Sequence, residues 1–203
     1  EIGGDDVRVY AATTALQDPH RIEARPSLIA QMRRANLVVC TGAELEAGWL
    51  PVLLQNANNA AVQPGRPGYF EAARVVPLLE KPARLDRADG DVHAAGNPHL
   101  HTDPRNILRV AEALAARLAE VDPANAAAHR ARGQAVAARW EAALARWEAR
   151  AASLRNLPVA VQHKSFSYLL AWLGMNEVAV LEPRPGVEPS VGHLARVAAH
   201  LQT

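Results

Sequence analysis

The sequence predicts an α/β protein: two small lobes with parallel sheets joined by one long helix. Three observations point there. Short apolar, β-type runs alternate with helical stretches in both the first and the last third of the chain. One helical pattern after Asp122-Pro123 is much longer than the rest. A hydrophobic fraction of 49% over 203 residues is ample for packed cores.

The elements run in this order. Val7-Arg8-Val9 is a short β-branched run. Arg25-Pro26-Ser27 opens a helix through Leu28, Ile29 and Met32, with Pro26 suited to its first turn. Leu37-Val38-Val39-Cys40 is apolar throughout, as a buried parallel strand is, and Thr41-Gly42 turns after it. Residues 44–54 read as a helix that Pro51 bends or splits. Residues 55–105 are rich in Asn, Gly and Pro and read as long loops around one or two short strands, with Val75-Val76 one apolar piece. Asp103-Pro104 starts a helix with Ile107, Val110, Ala111, Leu114 and Leu118 on one face. Asp122-Pro123 starts the long one. Running from about residue 124 to residue 154, it is a rod of roughly 45 Å that could bridge two lobes, weakened at Gly133 by about 1 kcal/mol relative to Ala. Val159-Ala160-Val161 is a strand, residues 167–173 a helix capped by Gly174, residues 178–181 a strand, and Pro189-Ser190 leads into a last helix. The expected organisation is an N-terminal lobe over residues 1–122 with a histidine-bearing loop, a linker helix over 123–155 and a partial C-terminal lobe over 156–203. The chain reads as incomplete at both ends.

Composition narrows the function classes. With 22 Lys+Arg against 21 Asp+Glu, the net charge of +1 argues against a nucleic-acid binder, which carries a basic patch. No run of about 18 apolar residues predicts a membrane span. A chain that opens at Glu1 without a signal peptide reads as cytosolic or as a mature, processed product. Cys40 is the single cysteine, so neither an internal disulfide nor a cysteine zinc site is expected.

Eight histidines stand out. In open α/β sheets, ligands bind beyond the carboxyl ends of strands. His20 lies in the loop after the first β-type run, His163 directly follows the strand ending at Val161, and His99 sits in the loop before Pro104. Imidazole suits Zn²⁺, and three histidines are a common zinc set. His129, His193 and His200 fall within helices and read as structural. His93, His99 and His101 form a closer group. If the segment is extended, His99 and His101 face the same way, which makes His101 and His93 candidate auxiliary metal residues.

These residues resemble a known family. Asp18-Pro19-His20, Arg25-Pro26-Ser27 and the stretch from Ala35 through Glu46 resemble the first lobe of the zinc/manganese solute-binding proteins of metal ABC importers (cluster A-I). Asn97-Pro98-His99 with Asp103-Pro104 resembles that family's second histidine motif. Val161-Gln162-His163-Lys164-Ser165-Phe166-Ser167-Tyr168-Leu169 resembles its third, and Glu182-Pro183 through His193-Leu194 resembles the family's next stretch. The resemblance implies two α/β lobes joined by a stiff helix, with metal held in the cleft between them by His20, His99 and His163. It implies a periplasmic or otherwise extracytoplasmic protein, expected to be monomeric, that hands Zn²⁺, its transported ligand, to the transmembrane subunit of an ABC permease. A zinc metallochaperone is a candidate second partner. The resemblance also implies a fourth ligand, usually a carboxylate or a water, from a later part of the second lobe, and no residue of this sequence is expected to match it. The segment before Gly96 resembles the mobile histidine-bearing loop of zinc-type members.

Three imidazoles favour zinc, whereas manganese sites prefer more oxygen. A manganese-binding member of the same family is therefore the alternative, and a zinc-dependent enzyme is a further one. Neither His-Glu-x-x-His nor Gly-x-Ser-x-Gly occurs, and the expectation is no enzyme. Because neutral imidazoles are the ligands, affinity should fall as pH drops through about 6.5. A structural protein working through its Ala/Arg-rich helix is the remaining rival, although Trp140 and Trp147 are expected to face the core.

Overall fold

The computed structural model describes residues 1–82, 93–184 and 186–202. Helix α1 (Pro26–Arg34) is followed by β1 (Val38–Cys40), α2 (Leu50–Ala57), β2 (Tyr69–Glu71), α3 (Pro104–Val121), α4 (Ala126–Arg150), β3 (Pro158–Val161), α5 (Ser167–Leu173), β4 (Asn176–Val180) and α6 (Val191–His200). The strands form two parallel pairs. Val38 is opposite Tyr69 and Cys40 opposite Glu71 in one, Pro158 opposite Asn176 and Val161 opposite Val180 in the other, with an irregularity at Val159/Ala160. The predicted α/β class with small parallel sheets is what the chain adopts.

Several elements differ from expectation, each for a local reason. The Val7–Val9 run is no strand. Val9 is 88% exposed and no described strand lies beside it, and a β-branched run without a partner has nothing to pack or pair with. Pro51 neither bends nor splits a helix. Residues 43–49 are turns, and Pro51 sits in the first turn of α2, where a missing N–H costs nothing. The strand in the loop-rich region is Tyr69–Glu71 rather than the Val75-Val76 piece, which follows a tight helical turn at Ala72–Arg74. The long helix is α4. It begins after a turn over Pro123–Asn125 and ends at Arg150, short of Leu154. Trp147 is 37% exposed and does not face a core.

By packing, Glu1–Pro77 with Leu108–Glu141 form one unit, and Leu78–Ile107 with Ala142–Thr203 form a second. The sequence expectation keeps residues 1–122 together. The segment that departs is 78–107, and buried polar bonds account for it. The Tyr168 hydroxyl of α5 accepts from the Leu79 N–H at 3.0 Å and donates to the Asn97 carbonyl at 2.7 Å.

The first unit is built on Ile22, Leu28, Met32, Cys40, Trp49, Leu50, Leu53, Leu54, Ala57 and Val62. Each fully buried aliphatic among them contributes about 1.5–3 kcal/mol. Within this unit α3 and α4 approach closely. A Cβ added at Gly133 would stand 2.5 Å from the Ala115 Cβ, so the glycine that weakens α4 intrinsically is what admits the buried Ala115.

Candidate metal centre

Two candidate ligands sit in the same local construction. In Asp18-Pro19-His20 the Asp18 Oδ1 accepts the His20 backbone N–H at 3.0 Å. In Asn97-Pro98-His99 the Asn97 Oδ1 accepts the His99 N–H at 2.9 Å. An Asx side chain bonding its backbone two residues on is a self-contained turn, and proline between the two fixes one more dihedral. Each histidine thus leaves its turn in a direction set by three residues.

The turns differ in what else the Asx side chain does. Asp18 Oδ1 also accepts from the His20 Nδ1 at 2.8 Å. Desolvation opposes the Asp18 charge, yet hydrogen bonds from the His20 backbone and ring hold its carboxyl below the usual value. That leaves Nε2, which is buried, as the His20 nitrogen not engaged by Asp18. In the same unit the Trp49 indole N–H donates to the Pro19 carbonyl at 2.8 Å, and a Cβ at Gly48 would lie 3.3 Å from the His20 carbonyl. Asn97 instead turns its amide Nδ2 outward. It donates to Glu80 Oε2 at 2.7 Å and to the Lys164 carbonyl at 2.7 Å. Desolvation works to raise the Glu80 pKa, but bonds from Asn97 and Lys164 bring it below the ordinary value.

His163 follows β3 directly and leads into the turn before α5. Its Nδ1 donates to Glu182 Oε2 at 2.7 Å, and the same oxygen accepts the Gly186 N–H at 3.0 Å. A carboxylate on one imidazole nitrogen fixes the tautomer and makes the other nitrogen a better ligand. Sequence reading did not assign Asp18, Asn97 or Glu182. The Asx-Pro-His pattern, present twice, is the signal that marks the first two. Nothing local marks Glu182, which lies 19 residues from its partner.

The structure brings His99 and His163 together in the second unit. Their ring centroids are 5.4 Å apart and the rings lie at 88°. With metal–nitrogen bonds of about 2.1 Å, a centroid about 1.1 Å beyond the nitrogen and a tetrahedral angle, two imidazoles on one zinc stand about 5.2 Å apart. His99 is buried, and His163 is 25% exposed. His101 lies 6.1 Å from His99, edge to face, and desolvation lowers its pKa below the ordinary imidazole value. His93 forms a turn through its carbonyl, which accepts the Gly96 N–H at 3.1 Å; Asp91 and Val92 before it lie outside the described residues. His20 belongs to the first unit. Among the described residues, no three His, Cys, Asp or Glu side chains cluster closely enough to enclose a metal.

His129 is a structural histidine. It is fully buried, its Nε2 donates to Asp122 Oδ2 at 2.8 Å, and its Nδ1 accepts from the Arg132 guanidinium at 3.0 Å. Cys40 is buried and its thiol is pushed up to about 12 by desolvation, so it is a packing residue rather than a thiolate ligand.

A family model described as zinc-uptake complex component A, periplasmic, matches residues 1–203. The manganese ABC transporter substrate-binding lipoprotein scaA of Streptococcus gordonii is 26% identical over 131 residues, covering 63% of this chain and 39% of that protein. The zinc-binding lipoprotein AdcA of Streptococcus pneumoniae serotype 4 is 23% identical over 213 aligned positions, covering 100% of this chain and 40% of that protein. Among solved structures, the solute-binding protein FpvC of P. aeruginosa in complex with Ni²⁺ superposes with a TM-score of 0.75 at 28% identity, over 98% of this chain and 68% of that one. The chain spans about 40% of the length of the curated relatives it matches.

Proposed function

Because the chain belongs to the family of periplasmic zinc-uptake component A proteins, we propose that it is an extracytoplasmic metal-binding protein that delivers a divalent cation to an ABC permease. The reading is of a binding protein, not an enzyme. The observation that carries it is the meeting of His99 and His163 at 5.4 Å from two separate loops, with Glu182 backing His163. We assign His20 as the third imidazole, since Asp18 orients it as Glu182 orients His163. His93 and His101 are auxiliary residues that would hold metal transiently beside the main set. No described helix is long and apolar enough to cross a membrane.

Zinc is the preferred cargo. The carboxylate bonded to His163, Glu182, is turned onto its Nδ1 and the Gly186 N–H, which favours a nitrogen-rich donor set. Manganese is the second reading, because named relatives include manganese proteins. The test is elemental analysis after zinc dialysis, followed by zinc–manganese competition. One zinc per chain, removed by a strong chelator and not displaced by equal manganese, is the expected result. Displacement by manganese would overturn the zinc assignment, and absence of any bound metal would overturn the binding reading.

A further inference from the structure

The His99 turn and the His163 loop are stitched together through the backbone around each ring. Asn97 Nδ2 donates to the carbonyl of Lys164, the residue after His163, at 2.7 Å. The Thr102 hydroxyl lies 3.0 Å from the His99 carbonyl and 3.4 Å from the Ser165 carbonyl. Tyr168, buried in α5, donates to the Asn97 carbonyl at 2.7 Å. With both backbones held, the two rings retain little beyond side-chain rotation, and their centroid separation of 5.4 Å is close to the spacing of two imidazoles on one cation. None of these bonds involves His20, whose turn is fixed by Asp18 and Trp49 in the first unit.

We infer that His99 and His163 form a pre-set two-imidazole half-site that captures a divalent cation without His20, with Asn97 as the positioning residue that sets their spacing. The inference rests on the metal-binding reading above. A pair of rings already held near each other on fixed backbones loses little conformational freedom on binding, so these two bonds form first. Water completes the coordination shell until another ligand replaces it. His20 then raises affinity rather than creating it.

The experiment is titration of metal-free chain with Zn²⁺ against a chromophoric chelator. His20→Ala should still bind one zinc per chain, more weakly, with zinc-induced shifts of imidazole NMR signals confined to His99 and His163. His99→Ala and His163→Ala should lose binding at the same chelator concentration. In the His20→Ala background, Asn97→Ala should weaken zinc a further 10- to 100-fold, roughly the loss expected for a residue that orients a ligand. Thr102→Val, nearly isosteric, should move affinity the same way by less, and it covers the case in which Asn97→Ala folds poorly. The melting temperature of metal-free Thr102→Val is the control. A purely structural role would lower it and leave the affinity of the folded protein unchanged, which would overturn the positioning assignment. If His20→Ala loses zinc as completely as His163→Ala, the half-site is wrong while the metal-binding reading stands. If the unaltered chain binds no zinc, or His163→Ala binds like it, both fall.

Discussion

The turns Asp18-Pro19-His20 and Asn97-Pro98-His99 share a backbone design and differ by one side-chain atom. In both, an Asx oxygen takes the histidine N–H two residues on. Aspartate then spends its remaining capacity on the imidazole itself, at 2.8 Å. Asparagine has a donor to place, and places it on Glu80 and the Lys164 carbonyl. The first turn orients one ring in isolation; the second sets one ring relative to another. An isosteric pair of side chains thus separates a self-contained turn from one coupled to a second histidine loop, because only the amide can donate.

Exchanging the two chemistries should break the comparison. Asn97→Asp is expected to have the largest effect. It replaces a buried donor by an anion facing Glu80 Oε2 and a carbonyl, which should cost about 2–4 kcal/mol of stability in chemical denaturation. His129→Ala should come next, at about 2–3 kcal/mol, since it empties a fully buried position and removes the shared partner of half-buried Asp122 and Arg132. Zinc affinity of the folded variant should not change, whereas His163→Ala should show the reverse pattern, with zinc binding lost and the fold retained.

Milder changes sharpen the contrast. Glu182→Gln keeps an acceptor for the His163 Nδ1 but removes the charge, and should weaken zinc by about 10- to 100-fold in the chelator titration. Asp18→Asn is expected to be the smallest in stability, within about 0.5 kcal/mol, because the turn survives and the side chain is half-exposed. Its signature is in pH dependence. The Asp18 carboxyl is held below its ordinary value in the folded chain, so its contribution is present above the carboxylate range and is lost as pH falls through the folded value. The small stability difference between the unaltered chain and Asp18→Asn should therefore be visible at neutral pH and vanish in acid.

Much of this was legible in the sequence because it is local. Pro26, Asp103-Pro104, Gly174 and Ser190 punctuate helices where expected. Gly174 takes the left-handed conformation at φ 66°, and the Ser190 side chain accepts the His193 N–H. The local positions of three histidines were legible too: His163 directly follows a strand, and His20 and His99 sit in loops. What escaped was set by partners far along the chain. Val7–Val9 has strand composition and, among the described residues, no strand beside it to pair with. Tyr69–Glu71 looks like loop and becomes a strand because Val38–Cys40 lies beside it. Trp147 fits an apolar stripe on paper, yet it stands 37% exposed.

By itself, then, the sequence determined the alternation of strand and helix, the long helix and the two Asx-Pro-His turns, because hydrophobic period, proline and short-range hydrogen bonds act within a few residues. Tertiary structure decided the rest. Residues 78–107 pack with the C-terminal unit, Glu182 reaches His163 across 19 residues, and Asn97 ties one histidine loop to the next. Those choices turn on buried polar groups finding partners, and a buried donor or acceptor takes whichever partner the completed fold brings within reach.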